Sequence, residues 1–381
     1  MFSPGFTALL VEAVGEERAR KTLEGLSEAP SVSIRLNPAK LRSCPFDASV
    51  PVPWSPWGFV LPERPVFTLD PLFHAGCYYV QDSSAMMVGE IFRGCLDLLD
   101  TPHPSVLDLC AAPGGKTTDL AASLRERFGD GFSLVSNEVM KKRFSVLRSN
   151  VRTWGDPRVG VLSRDPAGFR AGAVFDIVVA DVPCSGEGMF RKEEKAVEDW
   201  SEETVDFCAA RQRRILSDIW PSLRPGGILV YSTCTFNRRE NDGNVAWAAS
   251  VLGGEVLDFG PYPSVFRTEC GYALLPGYVP GEGQYVAAVR KEGGEASRRP
   301  GKDVLALFDC EIPAEPLSGP MIDVDRETAL HYLHGDALRL PDAPLGIVTI
   351  AYRGHPLGAA KNLGTRCNNL YPKENRIRMN I

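Results

Sequence analysis

The chain has 381 residues, 44% hydrophobic and 24% charged, with a net charge of −6. That length exceeds one ordinary core and suits two or three globular domains. No run approaches the roughly 20 apolar residues that span a bilayer, and the opening MFSPGFTALLVEAVGEERARK lacks a basic stretch followed by an apolar one. A secretory leader and a membrane partner are therefore excluded, and a cytoplasmic monomer is expected.

In chain order, the first hundred residues begin with an amphipathic helix after Pro4 and pass through SIRLNP and a Pro/Trp-rich stretch to HAGCYYVQDSSAMMVGEIF. From Ser105 the texture changes to short apolar runs: SVLDLC, FSLVSNE, VGVLSRD, FDIVVAD and ILVYSTC, each ending in a polar or reactive residue. Helical periods lie between them. Phe144, Leu147, Val151 and Trp154 make one apolar face, and Ile215, Ile219 and Leu223 another. Alternating strands and helices predict βαβ units around a parallel sheet, an α/β Rossmann-like domain over 101–291. Residues 1–100 form an α+β region before it. The composition of KEGGEASRRPGKD predicts a linker over 292–303, and a small β-rich domain over 304–381 contains the hairpin GIVTIAYRGHPLGAAKNLG.

In open parallel sheets ligands collect beyond the carboxyl ends of the strands, so the chemistry is sought there. After the first run, Cys110, Ala111, Ala112, Pro113, Gly114, Gly115 and Lys116 lead into a helix. Gly115-Lys116-Thr117 nearly completes a phosphate-binding P-loop, and Asp181 could serve as its acidic partner. The glycine that must wrap the phosphate is replaced by Cys110. The alternative is a nucleoside-binding turn, in which Gly114 and Gly115 let the backbone approach a cofactor such as S-adenosylmethionine. A merely structural turn is the third reading. Glu138 ends the second run, where an acid accepts hydrogen bonds from ribose hydroxyls; Asp165 ends the third and faces the adenine side. Both could equally cap a helix or turn.

Ten cysteines occur, never as C-x-x-C, so no zinc ribbon and no metal site are expected, and most are read as small buried hydrophobes. Context singles out Cys184, in Asp181-Val182-Pro183-Cys184, and Cys234, in Ser232-Thr233-Cys234-Thr235. They sit with Asp181 at the ends of two strands expected to be neighbours. A thiolate that adds to C6 of cytosine makes C5 nucleophilic toward a sulfonium methyl, and an acid such as Asp181 near N3 offsets charge on the ring.

The motifs CAAPGGK (110–116), SNEVMKKR (136–143), Asp165, DVPCSGEGMFRK (181–192) and STCTFNRREND (232–242), with SIRLNP (33–38) and YYVQDSSAM (78–86), resemble the Sun-type (Nop/Sun) RNA 5-methylcytosine methyltransferases. The resemblance implies that the backbone of 110–116, Glu138, Asp165 and Asp181 hold S-adenosyl-L-methionine. It also implies that Asp181 faces the base, Cys234 attacks and Cys184 assists product release. A DNA methyltransferase, which attacks from the Pro-Cys position, is disfavoured. Val182 and Asp242 depart from the usual alanine and glutamate. YRGHPLGAAKNLGTRCNNLYPKENRIR (352–378) is similar to the small domain of bacterial members that modify small-subunit ribosomal RNA. The implied partner is RNA, either ribosomal RNA or a small-subunit assembly particle, bound by both flanking regions.

Local basic patches, Lys141 to Arg170 and the tail after Gly358, would suit phosphates despite the negative total. Arg191 and Lys192 are the nearest candidates to grip phosphates flanking an extruded cytosine; Arg35 and Tyr79 extend the track, and Tyr78 or Tyr79 could stack on a base. The competing classes are a triphosphatase, which would bind ATP with magnesium, and a binding module that holds RNA without chemistry.

Overall fold

A computed structural model of the chain describes residues 2–170, 172–293, 303–314 and 319–381. The expected linker falls largely on 294–302, outside the described residues. Near the N-terminus, Ser3 caps the helix Pro4–Val14, its side chain accepting from the Phe6 amide. Strands β1 (Val32–Leu36), β2 (Val50–Pro51), β3 (Gly58–Leu61) and β4 (Tyr78–Val80) then form an antiparallel sheet in the order β2-β3-β1-β4.

The five apolar runs become β5 (Ser105–Asp108), β6 (Ser133–Asn137), β7 (Val159–Leu162), β8 (Phe175–Asp181) and β9 (Leu223–Thr233), all parallel. In β8 every residue before Asp181 is buried, as a central strand covered on both faces requires. Beyond β9 the sheet turns antiparallel through β10 (Gly254–Leu257), β11 (Phe266–Arg267), β12 (Tyr272–Leu274) and β13 (Gln284–Lys291). The order is β11-β12-β13-β9-β8-β5-β6-β7, with β10 also on β13. The chain runs outward from β5 through β6 to β7, then returns to β8 on the other side of β5. The crevice between β5 and β8 is thus the topological switch point where such sheets bind ligands.

The helix Lys141–Trp154 buries Leu147, Val151 and Trp154, the face read from the sequence. The second face needs correction. Ile215 and Ile219 lie on Glu202–Ile219, but Leu223 opens β9, and the Pro- and Gly-containing stretch Arg224–Gly227 lies within that strand. Gly226, at φ 75°, and a register shift opposite Phe175 and Ile177 absorb the local irregularity without ending the pairing.

After the undescribed stretch, Asp303 caps the short helix Val304–Leu307 and Phe308 stacks on Phe175 at 5.6 Å, so this segment packs on the Rossmann-like sheet. A last sheet follows in the order β14 (Met321–Val324), β15 (Gly346–Tyr352), β16 (His355–Asn362) and β17 (Cys367–Asn369), including the expected β15–β16 hairpin. No helix among the described residues is long and apolar enough to cross a membrane.

Candidate active site

Beyond β5 the chain folds back on itself. The Ala111 amide donates to Asn137 O at 2.9 Å and the Gly114 amide to Ala111 O at 2.8 Å. Gly114 adopts φ +110°, which L side chains rarely reach, and only then does the helix Gly115–Phe128 begin. The result is a cleft of 200 Å³ lined by Cys110–Pro113, Gly115, Lys116 and Asp181 on one side. Tyr79, Val80, Gln81, Asp82 and Ala85 close the other, so the N-terminal region supplies half of the wall.

Glu138, one residue past β6, is buried. Its Oε1 accepts from the Met140 amide at 2.8 Å, while Oε2 accepts no hydrogen bond, although Arg143 Nη1 lies 3.4 Å away. A buried carboxylate oxygen left open at this strand end is an acceptor awaiting a donor such as a ribose hydroxyl. The glycine turn and this orphaned oxygen fit S-adenosylmethionine. Asp165 makes the cap that was one of its two readings. It stands exposed, three residues past β7, and caps the short helix Pro166–Phe169 by accepting from the Ala167 amide at 3.0 Å.

At the end of β8, Asp181 faces Ser232 of β9 in register. Its Oδ2 takes an ion pair from Lys116 Nζ at 2.8 Å, and its Oδ1 accepts from Ser232 Oγ at 2.8 Å. Burial acts to lower the Lys116 pKa, but Asp181 and the nearby Cys234 outweigh it and the net shift is upward. Lys116 is thus engaged by a carboxylate of this chain, unlike a lysine waiting for a triphosphate.

The two singled-out cysteines meet. Cys184 Sγ lies 3.4 Å from Cys234 Sγ, both thiols half-buried. The hydrogen bond to Cys234 comes first, and burial second, in pushing the Cys184 pKa well above that of an ordinary thiol. Cys110 is also pushed up, by burial first and then by the surrounding carboxylates, and is the less reactive for it.

What holds the two cysteine loops together was quoted in the motifs without being given a role. Glu187 is fully buried; its Oε2 accepts from the Phe236 amide at 2.6 Å and its Oε1 from Asn237 Nδ2 at 2.9 Å and Trp200 Nε1 at 3.1 Å. Glu240 accepts from the Ser185 amide at 3.1 Å, Gln212 Nε2 at 2.7 Å and Asn237 Nδ2 at 2.9 Å. One carboxylate from each loop therefore binds backbone amides of the other. Gly188 lies so close that a Cβ there would stand 2.8 Å from Cys234 O. A sequence signal was available for Glu187, an acid set between two glycines, but not for Glu240, which sits in a run of charged and amide side chains. The departing residue Asp242 is structural, accepting from Thr268 Oγ1, the Cys270 amide and Tyr285 hydroxyl at 2.7–2.9 Å.

Three of the expected RNA contacts are corrected. Arg35 is fully buried, donating to Gln81 Oε1 at 2.7 Å and to Gly115 O at 3.0 Å. Arg191, 4% exposed, pairs with Glu282 at 2.8 Å and also donates to Gly25 O and Gly281 O. Tyr78 is buried and donates to Asp70 at 2.6 Å, so it offers no face for stacking. Lys192 remains partly exposed, 3.6 Å from Glu282, and Tyr79 is half-buried in the wall of the cleft.

Comparison with known proteins agrees with this geometry. Residues 96–263 match the family model described as 16S rRNA methyltransferase RsmB/F, residues 4–83 the N-terminal domain of 16S rRNA methyltransferase RsmF, and residues 320–377 the methyltransferase RsmF PUA domain. Ribosomal RNA small subunit methyltransferase F from Salmonella paratyphi B and from Salmonella newport are each 34% identical over 312 residues, covering 75% of this chain. The chain spans 62% of the length of these relatives. A solved methyltransferase homolog from Pyrococcus horikoshii is 26% identical with a TM-score of 0.60, covering 76% of this chain and 99% of its own. NSun6 from the same organism, solved with SFG, shares the fold at 18% identity and a TM-score of 0.62, covering 77% of this chain and 99% of its own. The chain belongs to the RsmB/F methyltransferase family, built as an S-adenosylmethionine-dependent Rossmann-like domain between an RsmF-type N-terminal domain and a PUA domain.

Proposed function

We propose that this protein methylates C5 of cytosine in small-subunit ribosomal RNA, with Cys234 as the nucleophile. The observation that carries the reading is the pair of sulfurs 3.4 Å apart at the ends of adjacent strands, beside the Lys116–Asp181 ion pair at the cofactor turn. An adenine or ribose methyltransferase has no use for either thiol.

S-adenosylmethionine supplies an electrophilic methyl group on its sulfonium. The chain supplies the rest. The Cys234 sulfur forms a bond to C6 of the cytosine, and the electron pair of the C5–C6 double bond becomes available at C5 to take the methyl group. Lys116, held protonated beside Asp181, puts positive charge near the attacking Cys234 sulfur. Asp181, close to the same point and paired with Lys116, is placed to relay a proton to N3, which takes up the charge that the sulfur's addition puts on the ring, and to accept it back afterwards. The C5 proton then passes to a water molecule acting as base, its electron pair re-forms the C5–C6 double bond, and the Cys234–C6 bond breaks with the pair leaving on sulfur. Cys184, kept as a neutral thiol by its partner, has the geometry to assist that last step. Glu138 would hold the ribose of the cofactor, and the turn from Cys110 to Lys116 its methionine part. Asp165, exposed and already capping a turn, retains one oxygen for the adenine side.

The RNA reading is supported by the ribosomal names of the relatives and by the matched PUA domain. The test is transfer of labelled methyl from S-adenosylmethionine to 16S ribosomal RNA and to small-subunit particles, followed by nucleoside analysis. Label in 5-methylcytosine that disappears in Cys234→Ala supports the reading. Label in another nucleoside, or transfer unchanged by Cys234→Ala, overturns it.

A further inference from the structure

A second cleft, of 300 Å³, opens where the N-terminal sheet, the helix Lys141–Trp154 and the PUA domain meet. Tyr79 lines both this cleft and the cofactor cleft, so the two share a wall. Its other walls include His74, Asn150, Ser149, Tyr371 and Asn375. We propose that this cleft receives an unstacked RNA base close to the methylated cytosine. The proposal rests on the RNA reading above and adds a subsite that the catalytic geometry does not require.

Several independent features favour a base as the occupant. Tyr79 and the His74 ring, both half-buried, offer aromatic surfaces, the usual platforms for unpaired bases, and the buried Tyr371 backs the cleft behind them. The polar rim is incompletely used by the protein. Asn150 Nδ2 donates to Pro113 O at 2.8 Å, and Ser149 Oγ donates to Asn375 Oδ1 at 3.3 Å. Among the described residues the amide oxygen of Asn150 and the amide nitrogen of Asn375 make no hydrogen bond, which leaves an acceptor and a donor to read a base edge. Charge on the surrounding surface suits the attached phosphates. The helix exposes Lys141, Lys142, Arg143 and Arg148, and the tail exposes Lys373 and Arg378. An apolar metabolite would use neither the open amides nor the cations.

The geometry also links the two clefts. Asn150 ties this site to the carbonyl of Pro113 in the cofactor turn, and Tyr79 packs against Gly115, where an added Cβ would stand 3.2 Å from its ring. A strand whose target cytosine enters the pocket at Cys234 therefore has a short route past Tyr79 to this seam.

The experiment uses full-length protein and a single-stranded RNA oligonucleotide, drawn from whatever 16S segment the wild-type protein methylates, with photoreactive 4-thiouridine placed at each flanking position in turn. Cross-linked peptides are mapped by mass spectrometry, and RNA affinity is measured for wild type, Ser149→Trp, which fills the cleft, and Asn375→Ala, which removes the open donor. Cross-links from one flanking position to the peptides carrying Tyr79 or Tyr371, lost in Ser149→Trp together with roughly ten-fold weaker RNA binding, would support the proposal. S-adenosylmethionine affinity reports whether either variant is misfolded; should Ser149→Trp lose it, Asn375→Ala carries the test. Methylation with cross-links only elsewhere, or both variants binding RNA as wild type does, overturns the subsite and leaves the methyltransferase reading intact. Absence of any RNA binding or methylation overturns both.

Discussion

The cysteine loops and the surface at Lys192 lie a few residues apart in the chain, yet they use charge in opposite ways. In the loops, buried Glu187 and Glu240 face inward onto backbone amides and hold two thiols at contact distance. After them, Arg191 turns inward as well, onto Glu282 and two carbonyls, and leaves the adjacent Lys192 partly exposed. A buried charge fully met by hydrogen bonds fixes a shape, whereas a partly exposed one is free to meet a phosphate. The difference shows that neither the sign of a residue nor its place in a motif tells which of these two tasks it performs.

The comparison breaks most sharply at Arg191. Arg191→Met leaves Glu282 buried with only Lys192 near, and is expected to cost about 3–5 kcal/mol of stability. Denaturant unfolding checks this. The salt dependence of RNA binding should stay as it is in wild type, while Lys192→Met should shallow that dependence by roughly one counterion and leave stability nearly unchanged. The reverse pattern would make Arg191 the phosphate contact after all.

At the cofactor cleft the orphaned Glu138 oxygen predicts a smaller effect. Glu138→Gln keeps the shape but weakens the acceptor, and should weaken S-adenosylmethionine binding by about 1.5–3 kcal/mol, read by calorimetry. The matching change Asp165→Asn, at an exposed cap, should alter it far less.

Asp108 gives the smallest and most pH-dependent effect. Burial, only partly countered by the 2.6 Å hydrogen bond from Thr117, pushes its carboxyl up to about 7. Because the folded value lies above the unfolded one, its contribution to stability is fullest below about pH 4 and is lost as pH rises through 7. Asp108→Asn should therefore stabilise the fold at pH 8 by on the order of 1–3 kcal/mol, read as a raised melting temperature, and change it little at pH 4. An equal shift at both pH values would show that the carboxyl is not protonated in the fold.

Much of this architecture could be read from the residues alone, for identifiable reasons. The five parallel strands announced themselves as apolar runs ending in reactive residues, and the strand-end rule brought Asp181, Cys184 and Cys234 together before any coordinates. The antiparallel extension from β10 to β13 did not announce itself. Most of its strands are only two to four residues long, and Gln284–Lys291, which lies inside the sheet against β9, β12 and β10, takes partners that only the folded sheet sets. Arg35 and Arg191 were misjudged because burial of a long polar side chain depends on partners 46 and 91 residues distant, Gln81 and Glu282, and Tyr78 because the packing that buries it is tertiary although its partner Asp70 is near in the chain. The role of Glu187, set between Gly186 and Gly188, was legible in principle, since a carboxylate in a tight reactive loop needs amide donors when buried; Glu240, between Arg239 and Asn241, reads as a solvated charge until its burial is known.

The central claim is the division of labour between the two thiols, and trapping addresses it most directly. Cys184→Ala protein is incubated with S-adenosylmethionine and small-subunit RNA, then run on a denaturing gel. The account predicts a covalent protein–RNA adduct that accumulates in this variant and vanishes in the Cys184→Ala, Cys234→Ala double variant. An adduct that instead requires Cys184, or methylating protein whose Cys184→Ala variant never forms one, would contradict it.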